Sequence, residues 1–324
     1  MTMLSSGHRR NPCVRFRTQF LALCITLSIC EHAQLQQISL TELNDRINQE
    51  LRSIKVAEHD HLPDSKLGYL WAQLASSYAQ QADFGRAEDA YFHSVRLLKD
   101  APEAQTNYAT LLDNLGIFYL AYNRREEAEN YLKKALVERR KQSDMMALGV
   151  SQIHLAELAL ADHRFKEAEH LANEAYANLT AAGDSGRKGL IGALVVLAYA
   201  LCERNKCIEG LHDAEQAMDL ARVVYPSDSL PAGHILMGIG FAKWKTGDNE
   251  EAEKMMLQGI QIITTQNAPG APYSRNALSE YRSFLVAMHR SADAKRIDDQ
   301  LAAKTSQPCA NCTVSVYSLS NAMK

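Results

Sequence analysis

No residue type and no sign of charge dominates this chain. Its 324 residues include 35 basic and 38 acidic side chains, for a net charge of −3. The two signs are interleaved, so there is no single-sign field to gather nucleic acid or an anionic membrane. Only eight prolines interrupt a chain that is 46% hydrophobic, enough to bury a sizeable core. Recognisable chemistry is missing too: there is no G-x-S-x-G elbow, no phosphate-binding loop and no dinucleotide fingerprint. The histidines are scattered, and the one tight cluster, His59-Asp60-His61 just before Pro63, reads as a solvated loop rather than a ligand pair. His154 and Glu157 stand one helical turn apart, but no second pair completes a ligand set. These absences argue against an enzyme and predict no cofactor and no metal.

The first thirty-odd residues differ from the rest. His8, Arg9, Arg10, Arg15 and Arg17 precede an uncharged apolar run from Phe20 to Cys30. That run, about eleven residues, is shorter than the roughly 20 a spanning helix needs. It reads as a secretory leader, residues 1–33, cleaved after Cys30 or Ala33. A periplasmic or secreted location follows, with no spanning segment. Ile29 stands where a lipid-attachment signal wants a small residue, which disfavours a lipid anchor. Cys202, Cys207, Cys309 and Cys312 remain in the mature chain, an even number that permits two disulfides. Cys202 and Cys207 flank one turn, where a bridge and two free thiols are both open. Cys309-Ala310-Asn311-Cys312 has the spacing of a redox couple or half a zinc site, but no thioredoxin-like pattern and no second such pair accompany it.

Self-comparison is the most informative step. A small residue, usually followed by Glu, recurs at Ala87, Ala128, Ala168, Gly210, Ala252 and Ala294. The period is therefore about 42 residues. About thirteen residues ahead of each lies an apolar residue, as in Leu74-Ala75, Leu115-Gly116, Leu155-Ala156, Leu197-Ala198 and Ile239-Gly240. Apolar or small residues also follow four and seven later, a spacing that lies on one helical face. Each unit reads as two amphipathic helices joined by a short polar turn.

Here the sequence resembles the tetratricopeptide repeat family: Trp71, Leu74, Ala75, Tyr78, Ala87 and Tyr91 fit its signature in the first unit, and Leu115, Gly116, Tyr119, Ala128 and Ala135 in the second. The period resembles the longer variant of kinesin light chains. The resemblance implies an all-α fold, a right-handed superhelical solenoid of antiparallel helix pairs. It predicts an amino-terminal capping helix and loop at 34–66, about six hairpins over 67–304, and a flexible tail at 305–324.

In this family the first helix of each unit lines a concave groove that holds a protein or peptide partner. Carried over, the groove residues are Tyr69, Gln80, Asp113, Ile117, Glu157, Tyr199, Met237, Phe241 and Trp244. Members that clamp a peptide carboxylate use a Lys and Asn pair where Asp113 and Ile117 stand here, so that mode is disfavoured. Aromatics in the second half suit an extended segment. Three alternatives stay open: self-association, action as an assembly or regulatory subunit through the convex face, and thiol or metal chemistry at Cys309 and Cys312. The charged run Arg124-Arg125-Glu126-Glu127 reads as a solvated helix face.

Overall fold

The computed structural model describes residues 40–81, 83–266 and 272–303, and the leader together with Cys309 and Cys312 lies outside them. Among the described residues the regular structure is helical. Helix α1 (Leu40–His59) is followed by six antiparallel pairs: α2 (Asp64–Gln80) with α3 (Phe84–Leu98), α4 (Gln105–Ala121) with α5 (Arg125–Arg140), α6 (Met145–Ala161) with α7 (Phe165–Ala181), α8 (Arg187–Glu203) with α9 (Cys207–Val224), α10 (Leu230–Thr246) with α11 (Asn249–Gln266), and α12 (Pro272–Ala287) with α13 (Ser291–Ala303). The pairs stack in chain order as a right-handed solenoid. The first pair opens at Asp64, three residues ahead of the sequence expectation.

The six recurring small residues are all buried and occupy the same place in each second helix. Their role is close approach. A Cβ on Gly210 would come 2.6 Å from the Ala198 carbonyl, and the facing first helices are as tight: one on Gly116 would come 2.5 Å from Leu132 Cγ, and one on Gly240 would come 2.9 Å from the Ala252 carbonyl. Since side chains interdigitate at crystal-like density, a methyl group is enough to push two helices apart. Helix α1 covers the first hairpin through Leu43, Ile47, Ile54 and Ala57, with Ser77 donating to Glu50 at 2.9 Å.

The turn inside the second to sixth hairpins also repeats. Asn123, His163, Asn205, Gly247 and His289 all have positive φ, between 57° and 95°. The residue after each one donates its N–H to a carbonyl five residues back: Arg124 to Tyr119, Arg164 to Ala159, Lys206 to Leu201, Asp248 to Lys243 and Arg290 to Leu285, at 2.7 to 2.9 Å. This is the Schellman closure, which satisfies carbonyls that the helix end leaves open. The same closure ends α1, where His61 is left-handed and Leu62 N–H reaches the Ala57 carbonyl at 2.9 Å. His59-Asp60-His61 is thus an exposed turn, as the sequence suggested.

With its leading turn, α8 is long and apolar enough by composition to cross a membrane. In the fold its apolar residues, from Ile191 to Cys202, are core.

Candidate functional site

The first helices of the hairpins form one wall of the solenoid, but its expected lining is not open surface. Asp113, Ile117, Glu157, Tyr199, Met237 and Phe241 are 0 to 4% exposed. Only Tyr69 and Trp244 of the expected set are half-buried, and the Gln80 side chain lies outside the described residues. The physical reason is tight curvature: first helices touch across successive hairpins, with α6 on α8 and α8 on α10. The Tyr199 and Phe241 rings, one repeat apart, stack with centroids 5.1 Å apart. The Tyr199 hydroxyl then reaches the Glu280 carboxylate two hairpins on, at 3.3 and 3.4 Å.

The wall has two chemical zones. Between the second and third hairpins lies a buried polar seam. Ser151 Oγ donates to Asp113 Oδ2 at 2.6 Å, Arg139 Nε lies 3.7 Å from that oxygen, and His154 Nδ1 lies 3.6 Å from Asp113 Oδ1. Arg139 also donates to Thr110 Oγ1 at 2.5 Å. Asp113 is therefore an inter-hairpin tie and not a group facing a ligand. One turn along α6, Glu157 is 3% exposed, and neither of its carboxylate oxygens has a hydrogen-bond partner. Burial alone pushes its carboxyl well above the usual carboxylate range, because an ion without water or a partner is costly.

The other zone is aromatic and acidic. Phe241 meets Trp244 edge to face at 5.9 Å, and Trp244 meets Phe284 the same way at 5.8 Å. The Lys245 ammonium sits 5.1 Å from the Phe241 ring centroid and 5.4 Å from that of Trp244, with Glu203 at 3.4 Å. Burial raises Glu280 to about 8, and nearby Glu203 adds to the effect, while the Tyr199 hydrogen bond opposes it.

Cys202 and Cys207 are unbridged here. They do stand side by side: the Cys202 thiol lies 3.9 Å from the Cys207 carbonyl oxygen. Among the described residues no group of three or more His, Cys, Asp or Glu is placed to hold a metal.

Sequence reasoning missed a ladder between hairpins. The Glu after each small residue pairs with the basic residue four ahead of the next one. Arg124 meets Glu88 at 2.8 Å, Arg164 meets Glu129 at 3.2 Å, Lys206 and Arg204 meet Glu169, and Arg290 meets Glu253 at 2.6 Å. Tyr119 and Tyr281 donate to Glu88 and Glu253, each at 2.6 Å. Where Leu211 replaces the Glu, Asp248 replaces the basic residue, so both partners of that rung change together. Arg124 and Arg125 are thus engaged between hairpins, Arg125 with Asp162 at 3.1 Å, and not merely solvated.

Stacked helical hairpins with a repeating small-residue contact and a left-handed turn define a helical-repeat solenoid. Residues 109–141 match the tetratricopeptide repeat family model, and the fold of the whole array is that of solved solenoids of helical hairpins. Three solved structures share its fold. BtubC (BKLC) from P. vanneervenii aligns with TM-score 0.55 at 15% identity, over 73% of this chain and 94% of that one. NprR in complex with its cognate peptide NprX aligns with TM-score 0.57 at 19% identity, over 83% and 76%. A signal-transduction ATPase from Pyrococcus horikoshii with a tetratricopeptide repeat sensor aligns with TM-score 0.50 at 17% identity, over 74% of this chain and 38% of that one. No curated protein matches the sequence.

Proposed function

We propose that this chain is an exported, non-catalytic scaffold that holds a segment of another protein against the first-helix wall of its carboxy-terminal half, with the half-buried Trp244 as the anchor. The carrying observation is the aromatic zone: Trp244 keeps accessible surface while Phe241 and Phe284 fix its ring edge to face. A large, rigid, half-exposed ring on a packed base concentrates binding energy at low entropic cost. NprR, of like fold, is seen with a peptide. The export part rests on the basic and apolar leader.

Selecting from a displayed random peptide library on the full chain supplies a ligand. Trp244→Ala is expected to weaken its binding tenfold or more, with a smaller loss of melting temperature than truncation of its fully buried neighbour Phe241. Phe241→Ala, in the core, is expected to lower the melting temperature by removing about 3–5 kcal/mol. Undiminished binding by Trp244→Ala would reject this wall. Export is checked by expressing the full chain in a bacterium and sequencing the amino terminus: loss of the leader supports it, and an intact Met1 contradicts it.

A second reading, self-association through the second-helix face, draws on the 82% exposure of Ile208 and 74% of Val223. Light scattering of wild type and Ile208→Asp separates the two.

A further inference from the structure

The turn of the fourth hairpin carries chemistry that the binding reading does not use. Cys202 closes the last turn of α8 and is 3% exposed, while Cys207 is the first residue of α9 and half-buried. The left-handed residue Asn205, φ 62°, folds the chain back and brings Cys207 against the end of α8. The Cys202 thiol donates to the Cys207 carbonyl oxygen, Sγ to O 3.9 Å, which sets the two side chains on the same side of the turn. The pair is asymmetric. The hydrogen bond from Cys202 holds the Cys207 thiol below its ordinary value, and Lys245 adds to this. The bond to Cys207 and then burial push Cys202 up. A helix start also favours the anion at Cys207.

We infer that Cys202 and Cys207 form a reversible dithiol–disulfide site, with Cys207 as the attacking thiolate and Cys202 as the resolving thiol, oxidised by a small-molecule or protein disulfide. Cys207 thiolate attacks one sulfur of the donor, a mixed disulfide forms, and the donor's own bond breaks to release a thiolate. That thiolate takes the Cys202 proton. Cys202 then attacks the Cys207 sulfur, the internal bond forms, and the second donor thiolate leaves. The two cysteines lose two electrons and the donor disulfide becomes two thiols. Lys245, whose ammonium also lies over the Phe241 and Trp244 rings, loses the negative sulfur as a neighbour when the bridge closes. The state of the pair is therefore felt at the aromatic end of the wall.

The test uses the full chain carrying Cys13→Ser, Cys24→Ser, Cys30→Ser, Cys309→Ser and Cys312→Ser, which leaves Cys202 and Cys207 as its two thiols, reduced and then treated with excess oxidised glutathione. Arg204 and Lys206 lie between the two cysteines, so trypsin separates them unless they are bridged. The expected product is a linked pair of peptides, 189–204 with 207–222, absent from Cys202→Ser, which instead keeps glutathione on Cys207. Before oxidation, iodoacetamide at neutral pH is expected to modify Cys207 at least tenfold faster than Cys202. Glutathione retained on Cys207 in the presence of Cys202, or equal alkylation of both thiols, would overturn the assignment.

Discussion

Two buried carboxyls set how this fold answers to pH. Glu280 has a folded-state value of about 8 against an ordinary 4.5. Between those values the unfolded chain has released the proton and the folded one keeps it, so stability falls as pH rises, by up to about 1.4 kcal/mol per pH unit. Glu157 is shifted in the same direction. Thermal midpoints of the wild type are expected to decline from pH 5 to pH 8, and Glu280→Gln to flatten that decline. An unchanged slope in Glu280→Gln would show that Glu280 ionises normally. A second residue-level cost lies in the turns. His163 holds a left-handed conformation at φ 58° where Gly247 does the same job at φ 95°. Such a backbone costs a side-chain-bearing residue about 1 kcal/mol, so His163→Gly is expected to stabilise and Gly247→Ala to destabilise by about that much in urea unfolding.

Between elements, the small-residue landmarks were legible because close helix contact excludes a side chain at a fixed place, and exclusion leaves a sharp mark in sequence. The ladder was legible in principle and overlooked. Glu88, Glu129, Glu169 and Glu253 were on the page as the residues after the small ones, and only pairing them with Arg124, Arg164, Lys206 and Arg290 one repeat on reveals the contact. A run of charges read alone looks like solvated surface. The pair Tyr119 and Glu88, joined at 2.6 Å, is expected to show about 1 kcal/mol of coupling in a double-mutant cycle of Tyr119→Phe and Glu88→Gln. Additive effects would mean the contact contributes nothing across hairpins.

Across the whole molecule, burial of the wall was not legible. Periodicity tells which residues share a face, but how tightly successive hairpins curve depends on packing summed along the array. Asp113, Glu157 and Phe241 were rightly placed on the first helices and wrongly taken as open, because α4 packs on α6, α6 on α8 and α8 on α10. The core divides into two apolar clusters that meet at α6, with Leu155 and Leu158 in one and Ile153 and Ala156 in the other. The polar seam of Asp113, Arg139, Ser151 and His154 lies along that boundary. Partner binding by such an array is a claim about which side of it does the holding. The direct measurement places a photo-crosslinking amino acid at position 244 in one variant and at position 208 in another, and adds a peptide selected on the wild-type chain. Capture at 244 without capture at 208 is the expected result. Capture at 208 alone would contradict it.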